Sequence, residues 1–457
     1  MENINQAIFR MYDIRGIYGE EIDGEVAYRL GRAFAEMIKA ETQKENVKIG
    51  VSHDMRVSSP ELYDKVIEGL LFQGVDVVKF ELASTPTFYF GVAAHQLDGG
   101  IQISASHNPA KFNGFKLCRK NAIPVSGETG ILSLRDAVTK NEFPTVASHG
   151  QVLSTLTELV SEQVDFDLTY VDLSKVKPLK IVVDAANAMS SLYFDRLFAR
   201  LPGELIRLNW ELDGNFPNHE ADPLKEENNK QLQRKVLEVG ADLGISMDGD
   251  GDRIFFVTNE GVTIEPAIVR GIMAQVFLKN FPGAAICYDI RPGKITIDMI
   301  EEAGGVPVVT RVGHSLIKEK AREVDSPFAG ESSGHFFVKM PFGFFEAPGI
   351  VTLKLLQLLS EYNKPVSEYV APLYRYSHSG EINFVVDDKA TVFGRLKEKY
   401  QDHLKYDFDG VYYEWPEWWF SVRASNTENV VRLNLEAVNR DVMETRLVEV
   451  KGLVLGN

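Results

Sequence analysis

The chain has 457 residues, enough for about three or four domains of ordinary size. Its 49 basic and 65 acidic side chains give a formal net charge of -16, which argues against nonspecific binding to nucleic acid or to an anionic membrane. Only Cys118 and Cys287 occur, without metal-ligand spacing, and residues 1–6 lack a signal-peptide pattern, so we expect a cytoplasmic protein without disulfides or structural zinc.

Strands and helices alternate through the first 150 residues, which predicts an α/β layer. The expected helices are 24–40, 59–72 and 86–95, and the expected strands are 47–51, 75–80 and the apolar run from 101. That last strand breaks at Ser104–Pro109, where small polar residues and a proline favour a turn. Ser106 is therefore expected on a loop at a strand end, beside His107 and Asn108. Ordinary turn chemistry would also explain these side chains, so a catalytic serine needs partners elsewhere.

A second α/β unit follows a polar boundary near 143–154. Its expected elements are strands 179–184 and 205–208, helices 191–199 and 226–238, and a strand 241–246 that leads into an acidic loop. In this loop Asp248, Asp250 and Asp252 alternate with glycines, so their carboxylates can converge and would repel each other without a cation. Ligands that are all oxygens select Mg2+ or Ca2+, and open coordination positions suit Mg2+ in phosphoryl transfer.

An EF-hand is the obvious competitor for this acidic loop. It is excluded because Arg253 occupies the sixth position and Asn259 the twelfth, and because a strand at 254–257 follows where a helix should.

Two further loops carry groups that suit a sugar phosphate. A third α/β unit starts near 265, reaches a loop with Glu331, Ser333 and His335, and continues through a strand and a helix at 348–361. Acceptor, hydroxyl and switchable group together fit a vicinal diol. From about 371 the pattern changes to a small α+β domain with aromatic strands. Its loop offers donors for an anion, with a second fork on the next strand: Arg423, Ser425, Asn426, Thr427 and Arg432.

Three residues near the first unit's loop have open roles. Tyr12 and Arg15 lie in an irregular segment, where Arg15 either faces a ligand or pairs with Asp13 on the surface. Lys116 either returns to the serine, as a lysine of lowered pKa that moves protons, or is a solvated lysine at a strand end.

Taken together, the four loops in this order resemble the α-D-phosphohexomutases, specifically the bacterial phosphomannomutase/phosphoglucomutase branch, over nearly the whole chain. The resemblance implies a phosphorylated Ser106 and Mg2+ held by Asp248, Asp250, Asp252 and the serine's phosphate. It implies that Glu331 and Ser333 bind sugar hydroxyls, and that residues 423–427 hold the idle phosphate. It places His107 and Asn108 beside Ser106 in the catalytic loop. Further positions match residues that line the family's cleft, Tyr12, Arg15, Lys116, Arg253, His314, His335 and, more loosely, Arg291, and residues 213–223 match a characteristic loop of the bacterial branch. The resemblance thus implies as catalytic residues Ser106, His107, Lys116, Arg15 and His314.

From this resemblance we expect three similar α/β domains of mixed sheets and a smaller C-terminal α+β domain around a central cleft. The expected domains are 1–150, 151–256, 257–370 and 371–457, with a hinge near 362–377. The expected reaction interconverts the 1- and 6-phosphates of mannose, glucose or both through a bound hexose 1,6-bisphosphate. No nucleic-acid or membrane partner is expected, and the protein is expected to be a monomer or small homo-oligomer.

Three segments depart from the family's usual residues: 52–56, 185–190 and 346–348. We expect these departures to leave the four loops untouched. Two alternative functions stay open, a phosphoglucosamine mutase and a sugar-phosphate-binding protein without turnover.

Overall fold

The computed structural model describes residues 4–291, 293–424 and 430–456. Its contacts form two compact units, Met1–Thr263 with His335–Val366 and Ile264–Gly334 with Ser367–Asn457. Within the described ranges, no helix combines the length and apolar character needed to cross a membrane.

The first unit begins with a mixed sheet of seven strands. Its elements are β1 (Ile14–Ile17), α1 (Gly24–Thr42), β2 (Lys48–His53), α2 (Ser59–Phe72), β3 (Asp76–Leu82), α3 (Thr85–Ala94), β4 (Gly99–Ile103), β5 (Phe112–Arg119), β6 (Ile123–Pro124), α4 (Leu132–Lys140) and β7 (Val152–Thr155). The strand order is β1-β5-β4-β2-β3-β7, with β6 on β5. Strands β7, β3, β2 and β4 are parallel, whereas β5 is antiparallel to β4 and β1.

Local sequence explains where the first helices begin and what they bury. The Asp23 carboxylate accepts a hydrogen bond from the Val26 amide and caps α1. Ser58 precedes α2, and Pro60 stands in the first turn of that helix, where its missing N–H costs nothing. Apolar side chains of α1 and α2 pack against β2 and β4 in one buried core, which fixes the ends of these strands.

The next elements of this unit build a four-stranded mixed sheet. They are α5 (Leu159–Leu168), β8 (Leu179–Asp184), α6 (Ser190–Phe198), β9 (Gly203–Leu208), α7 (Glu226–Val239), β10 (Leu243–Met247) and β11 (Ile254–Thr258). The order is β11-β10-β8-β9, with β11 antiparallel to β10. Every residue of β10 and β11 is buried. The hairpin between them therefore presents the acidic loop from a rigid base.

The second unit begins with alternating helices and parallel strands. Its elements are α8 (Pro266–Leu278), β12 (Ala285–Asp289), α9 (Lys294–Glu302), β13 (Val306–Thr310), α10 (His314–Glu323) and β14 (Phe328–Gly330). Strand β12 pairs in parallel with both β13 and β14.

The chain then returns to the first unit. This segment forms the hairpin of β15 (Phe336–Met340) and β16 (Gly343–Glu346), followed by α11 (Pro348–Tyr362) and the short α12 (Val366–Val370).

The rest of the second unit is an antiparallel sheet with two helices. Its elements are β17 (Ser377–Val385), α13 (Lys389–Tyr400), β18 (Leu404–Tyr406), β19 (Val411–Glu414), β20 (Trp418–Ala424), β21 (Val430–Ala437) and α14 (Arg440–Leu455). The strand order is β17-β21-β20-β19-β18. Its own core includes Trp418, Phe420 and Leu433.

The predicted fold class is confirmed: mixed α/β sheets are followed by a distinct antiparallel C-terminal domain. Two features lie across the predicted boundaries. Strand β7 joins the first sheet beyond residue 150, and His335–Val366 groups with the first unit although it lies inside the predicted third domain. The domain limits stay predictions.

Candidate active site

Ser106 lies in the serine loop, residues 104–112, which joins β4 to β5. Its φ of 50° is in the left-handed region, which is uncommon for a residue with a side chain. Its amide donates a hydrogen bond to Ser104 Oγ at 3.0 Å. Its own hydroxyl donates to Asp248 Oδ2 at 3.0 Å and lies 3.2 Å from His107 Nδ1. Two loops 142 residues apart in sequence therefore meet at this hydroxyl.

The aspartate loop, residues 248–253, brings three buried carboxylates together. One oxygen from each of Asp248, Asp250 and Asp252 lies within 4.8 Å of the others. Thr85 donates to Asp250 Oδ2 at 2.6 Å, whereas Asp250 Oδ1 is buried and accepts no hydrogen bond from any described residue. A buried carboxylate oxygen without a donor is costly, and an oxygen-ligand cation would satisfy it. This donor set therefore fits Mg2+.

Asp248 and Asp252 have pKa values shifted in opposite directions by their surroundings. Burial, together with the neighbouring charges of Asp252 and Asp250, raises the pKa of Asp248 well above its ordinary value. Burial alone would do the same for Asp252, but its ion pairs with Lys116 and His335 lower its pKa well below that value. The surroundings therefore disfavour the charged form of Asp248 and favour that of Asp252.

Lys116 does not lie at the solvent, as the strand-end alternative required. It sits in the middle of β5 and is buried, and its ammonium donates to Asp250 Oδ2 at 2.6 Å and to Asp252 Oδ2 at 2.5 Å. Burial lowers the pKa of this lysine, but the two carboxylates outweigh it and the net pKa is raised. The lowered pKa that a basic lysine would need is absent in this arrangement, where Lys116 is a buried countercharge.

Arg15 follows only part of one alternative, and its contact with a ligand stays a prediction. It pairs with Asp13 at 2.7 Å, but the pair is largely buried rather than on the surface. Its guanidinium also donates to Ala105 O at 3.2 Å and to Asn108 Oδ1 at 2.6 Å, so it holds the serine loop. Tyr12 lies half-buried just before β1.

Histidines complete the charge pattern of the first unit. Burial and the nearby Arg253 and Arg15 lower the pKa of His107 well below its ordinary value, so its imidazole is neutral near pH 7. His335 Nε2 lies 3.1 Å from Asp252 Oδ1 and 3.3 Å from Arg253 Nε. His335 thus lies beside the aspartate loop.

Within the second unit, Asp289 at the end of β12 organises the predicted sugar-binding residues. Its carboxylate accepts from the amide of Ser332 at 2.6 Å and from Arg291 Nη2 at 2.8 Å. Arg291 Nη2 also donates to Ser333 Oγ at 3.4 Å, and Glu331 Oε1 accepts from the Gly313 amide at 2.8 Å. The predicted Arg291, Glu331 and Ser333 therefore share one network. His314 begins α10, directly after Gly313.

The predicted phosphate loop lies between β20 and β21. Arg423 and Arg432 are direct cross-strand partners, which places two arginines opposite each other at the ends of these strands. Arg423 Nη2 donates to both oxygens of Asp409 at 3.0 Å, and Arg432 Nη1 lies 3.8 Å from Glu381. The predicted Ser425, Asn426 and Thr427 lie outside the described residues.

Sequence reasoning missed three buried aspartates at or just after the ends of central strands. Asp54 follows β2, Asp184 ends β8 and Asp289 ends β12, and in each case Oδ1 accepts the amide of the residue two positions later. An apolar strand that ends in or is followed by Asp is visible in the sequence. Its recurrence in all three α/β domains indicates a structural repeat, which residue-by-residue similarity between the domains did not show.

The expectation that the departing segments leave the loops untouched is wrong for segment 185–190. In segment 52–56, the Arg56 guanidinium donates to the carbonyl of Ser106 at 2.8 Å, although Arg56 itself matches the family's usual residue. In segment 185–190, the Met189 amide donates to the carbonyl of Gly249 at 3.3 Å. Both contacts join residues distant in sequence, so no local pattern indicated them.

Four family descriptions match the chain in succession. They are "Phosphoglucomutase/phosphomannomutase, alpha/beta/alpha domain I", the corresponding domains II and III, and the C-terminal domain, over residues 6–145, 153–261, 267–376 and 381–452. The chain belongs to the phosphoglucomutase/phosphomannomutase family. It is therefore an isomerase, and the predicted family is confirmed.

Relatives of this mutase family match along almost the whole chain. A phosphohexose mutase of Xanthomonas campestris is 36% identical over 98% of this chain and 99% of its own length. A phosphomannomutase of Methanocaldococcus jannaschii is 37% identical over 98% and 97%. The crystal structure of a phosphoglucomutase/phosphomannomutase family protein from Burkholderia thailandensis is 31% identical, with a TM-score of 0.88 over 99% and 97%.

Proposed function

We propose that the protein interconverts hexose 1-phosphate and hexose 6-phosphate, with mannose or glucose as the sugar, through phosphorylated Ser106 and a bound hexose 1,6-bisphosphate. The observation that carries this proposal is the 3.0 Å hydrogen bond from the Ser106 hydroxyl to Asp248, inside the one triple-carboxylate cluster of the described residues. A serine that carried only turn chemistry would not need a buried acidic cluster with a lysine countercharge.

The transfer from enzyme to sugar exchanges one phosphorus–oxygen bond for another. A free sugar hydroxyl forms a bond to the phosphorus on Ser106 as the bond from phosphorus to Ser106 Oγ breaks. The hydroxyl proton leaves the sugar, and Ser106 Oγ regains a proton. We assign the proton shuttle to His107, because its neutral imidazole lies 3.2 Å from Ser106 Oγ. In the second half, the other phosphate of the bisphosphate returns to Ser106 by the reverse exchange.

The remaining groups neutralise charge and hold the substrate. Asp248, Asp250 and Asp252 would hold Mg2+, which when bound neutralises charge on the transferring phosphoryl group. Lys116 and Arg15 keep the carboxylates and the serine loop in position.

We assign sugar hydroxyls to Glu331 and Ser333, with Tyr12, Arg291, His314 and His335 as further substrate contacts. We assign the phosphate that is not being transferred to residues 423–427 and Arg432. A guanidinium group can bind a phosphate through two parallel hydrogen bonds. We also propose that the protein is a cytoplasmic monomer or small homo-oligomer and that it has no nucleic-acid or membrane partner.

A coupled assay with mannose 1-phosphate, glucose 1-phosphate and glucosamine 1-phosphate tests the reaction. Wild type should turn over at least one of the first two, and EDTA should abolish the rate. Ser106→Ala should lose at least about 10³-fold in kcat, because it removes the atom that carries the phosphoryl group. The matched control is Ser174→Ala, an exposed serine after α5, which should keep the full rate. Full activity in Ser106→Ala would contradict the proposal. Turnover of glucosamine 1-phosphate alone would make glucosamine phosphate the substrate instead of mannose or glucose phosphate.

A further inference from the structure

Arg56 uses every donor of its guanidinium, although the proposed chemistry gives it no role. It lies in the turn after β2 and is 1% exposed. Its Nε donates to Asp54 Oδ2 at 3.1 Å. Its other four N–H groups reach backbone carbonyls: Ser106 at 2.8 Å, Asn108 at 2.6 Å, Pro109 at 3.0 Å and Phe112 at 3.0 Å. An arginine has five such donors, so none is left for a ligand.

These four carbonyls belong to one loop that needs external support. Ser106 has a left-handed φ of 50°, which is sterically unfavourable for a residue with a Cβ. Such a conformation persists only where neighbours determine it. Arg56 contacts the carbonyl of Ser106 itself and of three residues after it, so it fixes the direction of the loop on the far side of the reactive hydroxyl.

Arg56 is itself held from two sides. Asp54 accepts the Arg56 amide at 3.0 Å and the Ser59 hydroxyl at 2.6 Å, which anchors it to the start of α2. The ring of Phe216 lies over the guanidinium at 5.1 Å from its central carbon. At Gly214 a Cβ would come 2.7 Å from the Arg56 Cα, so only glycine allows this approach. The loop 213–223 thus covers Arg56.

We propose that Arg56 is a positioning residue for phosphoryl transfer: its guanidinium sets the place of Ser106 Oγ relative to Asp248, and Phe216 keeps that guanidinium dry. This inference rests on the proposed role of Ser106 as the phosphoryl carrier. Because Arg56 is fully buried and saturated, it acts through the serine loop and does not touch substrate.

The first test is Arg56→Lys, which keeps the charge but offers three donors in place of five. We expect kcat to fall by about 10²-fold, as for a misplacement of about 1 Å, while KM changes less than about threefold. Hydrogen exchange should accelerate at residues 104–112. The control is Arg29→Lys in the same domain, since Arg29 is also buried but, among the residues that the structure describes, donates only to Glu25. It should lower the thermal midpoint without changing kcat.

A milder variant covers the case in which Arg56→Lys does not fold. Phe216→Leu keeps an apolar cover but removes the ring from the guanidinium, and we expect kcat to fall about fivefold. An unchanged kcat in a folded Arg56→Lys or in Phe216→Leu would overturn the inference. So would an equal loss of kcat in Arg29→Lys, because that would make the effect one of stability alone.

Failure of the proposed function has a different signature. If wild type never carries phosphate on Ser106 and Ser106→Ala is fully active, the function is wrong and Arg56 has no serine to position. If wild type carries the phosphate by intact mass and Ser106→Ala is inactive, the Arg56 and Phe216 variants decide the inference alone.

Discussion

Replacing Gly249 with alanine should separate the aspartate loop from the serine loop. A Cβ at Gly249 would lie 2.4 Å from the carbonyl oxygen of Ser106, against about 3.4 Å for ordinary contact. Gly249 does not have a left-handed φ, so alanine carries no backbone penalty and the effect is purely steric. The Ser106 carbonyl cannot yield easily, because Arg56 holds it from another side at 2.8 Å.

The added Cβ would be about 1 Å too close to the Ser106 carbonyl oxygen, and this overlap determines how much stability or activity is lost. Overpacking of this kind destabilises by about 1–3 kcal/mol when the structure cannot relax. If the loops move apart instead, the 3.0 Å contact between Ser106 Oγ and Asp248 lengthens. Misplacement by about 1 Å costs about 10²-fold in rate, which corresponds to about 2.7 kcal/mol in the barrier.

The assay is the coupled mutase rate at saturating Mg2+ together with a thermal melt. Gly394→Ala is the matched control, because the same methyl group there meets no atom within 4 Å and lies inside α13. It should keep full activity and gain up to about 1 kcal/mol of stability. A Gly249→Ala protein with unchanged kcat and melting temperature would refute the proposed contact between the two loops.

Three further predictions follow from the carboxylates. Asp250→Asn should raise the Mg2+ concentration for half-maximal activity by about 10²-fold, with an unchanged circular dichroism spectrum. Burial raises the pKa of Asp167 to about 7, with an opposing hydrogen bond from Tyr193, so the folded state holds this proton more tightly than the unfolded chain. The stabilising contribution of the Asp167 proton is complete below about pH 4 and falls by about 4 kcal/mol as pH rises through about 7. The difference in unfolding free energy between wild type and Asp167→Asn should therefore vary across that pH window. A difference that does not change with pH would contradict the assignment. Asp289→Asn should raise KM for the sugar phosphate about tenfold and leave kcat within about threefold, since it loosens the network around Ser332. A fall in kcat as large as the rise in KM would contradict this prediction.

The sequence predicted the regular elements well where apolar periodicity was strong. Helix α2 and strand β8 occupy their predicted residues, because a proline in the first turn and apolar side chains mark α2 locally, and an apolar run marks β8. Strand β5 was not predicted, since Asn113-Gly114 is typical of a turn. In the structure Gly114 allows the close approach of β1, where a Cβ would lie 2.3 Å from the carbonyl of Ile14.

Local sequence also indicated which loops carry chemistry, but not what holds them. The serine and the aspartate triplet stood out by composition, whereas Arg56 was noted only as the last residue of the departing segment 52–56. The burial of Lys116 depends on Asp250, which is 134 residues away, and no local pattern encodes such a pair. The missing information is tertiary: it concerns which carbonyls and carboxylates a buried cation reaches.

The identity of the phosphoryl carrier can be measured directly. Dephosphorylated protein is mixed with glucose 1,6-bisphosphate labelled in its phosphates, digested and mapped, and a second sample is chased with unlabelled hexose 6-phosphate before digestion. We predict one label, on the peptide that contains Ser106, lost in the chase at least as fast as kcat. Label on another peptide, or label on Ser106 that the chase does not remove, would contradict the account.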